Sequence, residues 1–185
     1  MKDIAMRLAP FLEVTGIGKQ KKEKFNALRR HDNLPFATHD ADKGEWQTFT
    51  LDDAFRMRLM LDLVGAEGEG DDTLHGLPPS YAVKLVSNAM GRFDRHPLSS
   101  LDGALWAGVA IFEDTPEGAE PYRYSRWFAG DLADLAAWIS EMSKREDGTP
   151  VRLFAANASR AAKFVRDRAA ERGLPEARDF SQGEA

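Results

Sequence analysis

Apolar residues recur at helical spacing at Ile4, Leu8, Phe11 and Leu12, which predicts a short first helix over residues 3–14. Pro10 interrupts that run. A helix accepts proline in its first turn but not in its interior, so the helix ends near Ala9 or restarts there. Thr15-Gly16-Ile17-Gly18 supplies a turn, and residues 18–33 form a second helix-former with Phe25 and Leu28 facing inward. His31-Asp32-Asn33 is its fraying end before Leu34-Pro35. Short strands are expected at 36–38 and 46–48, joined through Asp40-Ala41-Asp42-Lys43-Gly44, with Trp46 and Phe49 pinning the hairpin to the helices. Thr50 is the expected cap of a third helix over 50–63, with Asp52 and Asp53 in its first turn and Phe55, Leu59 and Leu63 or Val64 along one stripe.

Residues 65–76 (GAEGEGDDTLHG) have the glycine and acid content of an exposed loop. Pro78-Pro79 opens a fourth helix over 80–90, whose inner face is Ala82, Leu85, Val86 and Ala89. The pattern then changes. Residues 105–112 and 122–128 are apolar runs of strand length, separated by a loop too long for a tight turn. A helix over 131–142 follows, capped by Asp131, with Leu132, Leu135, Ala136 and Ile139 inward. Residues 151–155 form a third strand, and a last helix runs from Asn157 or Ala158 to Arg172, stopped by Gly173-Leu174-Pro175. The order β-β-α-β-α indicates a small sheet covered by helices. The fold class is therefore α+β: an N-terminal winged helix-turn-helix (1–92), a small α/β dimerisation or interaction domain (101–175), and a flexible tail (176–185).

Composition changes this picture at three points. The chain has 185 residues and no cysteine, which removes disulfides, thiol nucleophiles and zinc fingers. No apolar run is long enough to span a membrane or serve as a secretion signal, so a cytoplasmic location is expected. The net charge is −5, yet residues 18–30 hold six basic residues and one acid. Such segregation is compatible with one basic face on an acidic protein, although a solvated helix surface has the same composition.

A DNA-reading helix must neutralise phosphates and present polar groups to base edges. Lys19, Lys22, Asn26 and Arg29 or Arg30 share one broad side of the second helix, away from Phe25 and Leu28. The early lysines suit phosphate, whereas Asn26 and Arg29 suit base edges. From Ile4 to about Met90 the chain resembles the DNA-binding domain of MerR-like winged-helix regulators. The resemblance lies in a helix ending His31-Asp32-Asn33-Leu34-Pro35, then a hairpin, then Phe49-Thr50-Leu51-Asp52-Asp53-Ala54, with Gly76-Leu77-Pro78-Pro79-Ser80 resembling the cap of the next helix. It implies contacts from Gln20, Lys21, Lys24, Asn26 and Arg30, wing contacts from His39 and Lys43, and binding to double-stranded DNA as a homodimer. Three features depart from that pattern. Leu28-Arg29-Arg30-His31 replaces a tyrosine-rich phrase, the wing carries Asp40, Asp42 and Glu45, and no long coiled helix follows.

Catalytic chemistry finds no support in the sequence. The four histidines make no cluster with acids, the serines lack nucleophile motifs, and no phosphate-binding loop or dinucleotide fingerprint occurs. No cofactor and no metal site is expected, and the protein is expected not to be an enzyme. The second half is rich in aromatics, and Tyr122, Tyr124, Arg126 and Trp127 are candidate partner-binding residues. The alternative to a transcriptional regulator is a protein-interaction adaptor without nucleic-acid binding.

Overall fold

Four helices precede a three-stranded sheet in the computed structural model, which describes residues 5–17, 22–37, 47–65, 76–93, 98–101, 103–144 and 148–174. They are α1 (Leu8–Val14), α2 (Lys22–Arg30), α3 (Leu51–Val64) and α4 (Pro79–Phe93). A 3₁₀ turn (Leu98–Leu101) leads into β1 (Leu105–Asp114), β2 (Tyr122–Asp131), α5 (Leu132–Met142), β3 (Thr149–Asn157) and α6 (Ala158–Ala170). The architecture is α+β, an N-terminal helical region followed by a small sheet with helices.

Local chemistry explains most boundaries. Pro10 is the third residue of α1 and so lies in its first turn, where its missing N–H leaves no helical bond unmade. The helix thus begins at Leu8, later than the apolar spacing predicts. Thr50 and Asp53 form a reciprocal cap on α3: the Thr50 N–H donates to Asp53 Oδ2 at 2.8 Å, and the Asp53 N–H donates to Thr50 Oγ1 at 3.1 Å. Burial pushes the Asp53 carboxyl above its ordinary value, against the pull of those Thr50 bonds. Pro79 occupies the first position of α4, and Asp131 and Asn157 cap α5 and α6 by accepting from the N–H groups of Asp134 and Arg160.

β1 is the central strand, antiparallel to both neighbours in the order β2-β1-β3. Alternation divides the sheet into two faces. Ala107, Val109, Trp127, Ala129, Phe154 and Ala156 face the main core, which also holds the buried residues of α1, α3, α4 and α6. One continuous core therefore joins the helical region to the sheet. On the opposite face Ala110 and Phe112 pack with Met142, Tyr124 and Trp138 beneath α5. That cover is narrow. Leu132 is 52% exposed and Ala136 is also exposed, so two of the four residues expected to face inward on α5 face solvent instead. Leu135 is buried as expected and Ile139 half-buried, and the inward stripe continues through Trp138 to buried Met142, not back through Leu132 and Ala136.

α3 is buried on nearly every side, with eight of its fourteen residues in the core. One of its arginines fastens it to the C-terminal half. Arg58 pairs with Asp62, donates to the Thr15 carbonyl at 3.4 Å, and lies 4.5 Å over the Phe164 ring of α6. Arg168 lies 4.8 Å from the same ring and donates to the Glu13 carbonyl at 3.3 Å, while Arg172 pairs with the Glu13 carboxylate. Gly16 makes this approach possible: its φ is +82°, and a Cβ there would sit 3.0 Å from both Arg58 Nη1 and the Phe164 ring. Among the described residues, no helix is long and apolar enough to cross a membrane.

Candidate nucleic-acid interface

Four phenylalanines position α2. Phe25 is its only fully buried residue, and it meets Phe11 of α1 and Phe49 edge-on at 5.7 and 5.9 Å. Phe11 and Phe49 stack at 4.3 Å, and Phe36 closes the group edge-on to both. Phe49 is held in turn by a two-way backbone bridge to Met6, at 2.7 and 2.8 Å. The chain entering α1 and the chain entering α3 are thus tied together behind α2.

The outward side of α2 is basic. Lys22, Asn26, Arg29 and Arg30 share it by their spacing, whereas half-buried Lys24 lies to another side. Lys22, Arg29 and Arg30 are exposed. None of the four cations of α2 forms an ion pair with a described acid. Elsewhere Arg56, Arg58, Arg123, Lys163 and Arg172 all do. Arg29 instead donates to the Gln47 side chain at 3.4 Å, a long bond that links α2 to the segment returning toward α3. Sequence reasoning passed over Gln47; its position between Trp46 and Thr48, on the way to a buried phenylalanine, is the signal that marks it.

α2 ends in a left-handed residue. Asp32 has φ +51°, the Asn33 N–H bonds to the Leu28 carbonyl at 2.9 Å, and the Asp32 N–H bonds to the Arg29 carbonyl at 3.2 Å. Glycine suits that position better than aspartate, and an acid at a helix C-terminus opposes the dipole. Asp32→Gly is expected to stabilise the protein by about 0.5–1 kcal/mol. Urea denaturation checks this; a shift of the midpoint to lower urea would contradict the cap.

Lys19, Gln20, Lys21, His39 and Lys43 lie outside the described residues, as do residues 38–46 of the predicted hairpin. Its described flanks, 36–37 and 47–48, carry no strand pairing with each other; the bridge at Phe49 goes to Met6.

The aromatic set of the second half is divided by the sheet. Tyr124 stacks on Phe112 at 5.3 Å, Arg126 lies 5.4 Å from the Tyr124 ring, and Tyr122 donates to Asp114 at 2.8 Å. These three share the α5 face, while Trp127 packs on the opposite face against the main core. Among the described residues, no group of three or more His, Asp or Glu side chains is placed to hold a metal ion. No family model and no curated protein matches this chain.

Proposed function

We propose that this protein is a winged-helix regulator that binds double-stranded DNA through α2 and the segment joining it to α3, as a homodimer. The observation that supports this most is the basic helix itself. In a chain of net charge −5, α2 presents cations that no described acid neutralises. Phosphate oxygens supply the missing counter-charge, and Asn26 and Arg29 have the donors to meet base edges beside them. The order α1, α2, α3, with Phe49 bridged to Met6 behind α2, is compatible with a helix-turn-helix in which α2 is the reading helix.

A second reading, an adaptor with no nucleic-acid role, draws on the sheet. Val151 and Leu153 are 43% and 46% exposed on β3, an edge strand among the described residues. The same surface serves a second copy of the chain if the protein dimerises on DNA.

Fluorescence anisotropy with random duplex at low and moderate salt separates the two readings. The wild type is expected to bind with a steep salt dependence. Lys22→Ala/Arg29→Ala/Arg30→Ala should bind far more weakly, its salt slope falling by about 0.9 for each phosphate that goes unneutralised. All three side chains are exposed, so an unchanged melting temperature verifies the fold. Absence of binding by the wild type at low salt would refute the DNA reading and leave the adaptor. Light scattering of the complex gives the number of chains per duplex.

A further inference from the structure

The geometry points to a second binding site, in the cleft between α4, α5 and the β2 edge, for a small aromatic carboxylate. β2 has a strand neighbour on one side only among the described residues. Along its open edge lies a cleft of about 490 Å³, lined by Asn88, Gly91 and Arg92 of α4, Trp127 and Phe128 of β2, and Trp138 of α5. That volume falls within the roughly 300–1,000 Å³ of small-molecule sites.

The lining selects the ligand. Two indoles and a phenyl ring, the last 5.7 Å from Trp138, offer faces and edges to a flat ring, which an aliphatic chain would not use fully. Arg92 stands in the last turn of α4 with no ion pair to a described acid, and its guanidinium matches a carboxylate through two parallel bonds. Asn88 lies one helical turn earlier on the same side and adds an amide donor. Among the described lining residues Arg92 is the cation that meets the carboxylate. Gly91 offers a place to block the cleft. It keeps a helical backbone, and a Cβ there would meet nothing within 4 Å. Packing within the described chain does not require glycine at this place, and Gly91 lines the cleft, so a large side chain there can enter it.

This site stands apart from the reading of α2 and is tested without DNA. Isothermal titration of the full chain with 2-naphthoate is expected to give saturable one-site binding, and the neutral 2-naphthylmethanol should bind about tenfold more weakly. Arg92→Gln, an exposed position, should weaken naphthoate about tenfold and leave the alcohol unaffected. Gly91→Phe should fill the cleft and remove both. Melting curves of the variants confirm that each is folded. The proposal fails if naphthoate shows no saturable binding at millimolar concentration, if acid and alcohol bind alike, or if Arg92→Gln leaves naphthoate affinity unchanged.

Discussion

Replacing Phe49 by alanine is expected to cost about 3–5 kcal/mol, the range for emptying a buried phenylalanine site. Phe49 is 2% exposed and is the ring on which the others in its group converge: Phe11 stacks on it, and Phe25 and Phe36 meet it edge-on. The backbone bridge to Met6 survives the substitution, so the loss isolates the ring. Alanine leaves a cavity between α1 and α2 that neither short helix can close without moving the other. For a chain of this size the melting temperature should fall by roughly 6–20 °C. Because one core runs from these helices into the sheet, helical and tryptophan signals should fall together in a single transition. A loss below about 1 kcal/mol, or two separate transitions, would contradict this packing.

Gly76→Ala should be nearly as damaging, for a different reason. A Cβ at Gly76 would press against the carbonyls of Leu63 and Val64, only 2.5 Å from the Val64 oxygen. Those atoms are backbone at the end of α3, and no rotamer change moves them aside. The Leu77 N–H bonds to the Leu63 carbonyl at 2.9 Å, and buried Leu77 leads directly into Pro79 and α4. Relief of the contact must therefore break that bond or displace the start of α4. Overpacking of this kind costs typically 1–3 kcal/mol, and an immovable backbone neighbour favours the upper end. Gly91→Ala serves as the control, since its methyl enters open space and a helical alanine gains up to about 1 kcal/mol. Equal urea midpoints for the two variants would overturn the distinction.

These two glycines show where the sequence stops informing. Gly76 reads as the last residue of a glycine-rich loop, and Gly91 as the residue just past the helix expected over 80–90, although α4 continues to Phe93. Only the position of α3 gives the first its necessity, and only the folded chain shows the second lining the cleft. Signals carried by adjacent residues were legible. Thr50 and Asp131 cap where their side-chain oxygens predict, the last helix starts at Ala158, one of its two expected starts, Pro79 opens α4, and both long apolar runs are strands, because each depends on a few bonded neighbours. Features that depend on distant packing were not. Leu132 and Ala136 have the spacing of a buried stripe with Leu135 and Ile139, yet only the latter two turn inward, because the sheet takes up Trp138 and Met142 farther along α5. The basic side of α2 was visible as composition. Its lack of described counter-ions and its link through Gln47 emerged only once the chain was folded.

The Phe164 ring, clasped between Arg58 and Arg168, bears on how such a chain can be taken apart or recombined. α3 belongs to both halves: it receives the segment that follows α2, and it lends a face to α6. A fragment ending after α4 would leave Arg58 stacked on nothing and the α6-facing side of α3 wet. Joining the first four helices to an unrelated second half would require that newcomer to present an aromatic ring at one place and a cation beside it. The first half is thus tied to its sheet by this clasp as well as by the shared core, and neither half can be exchanged without rebuilding both.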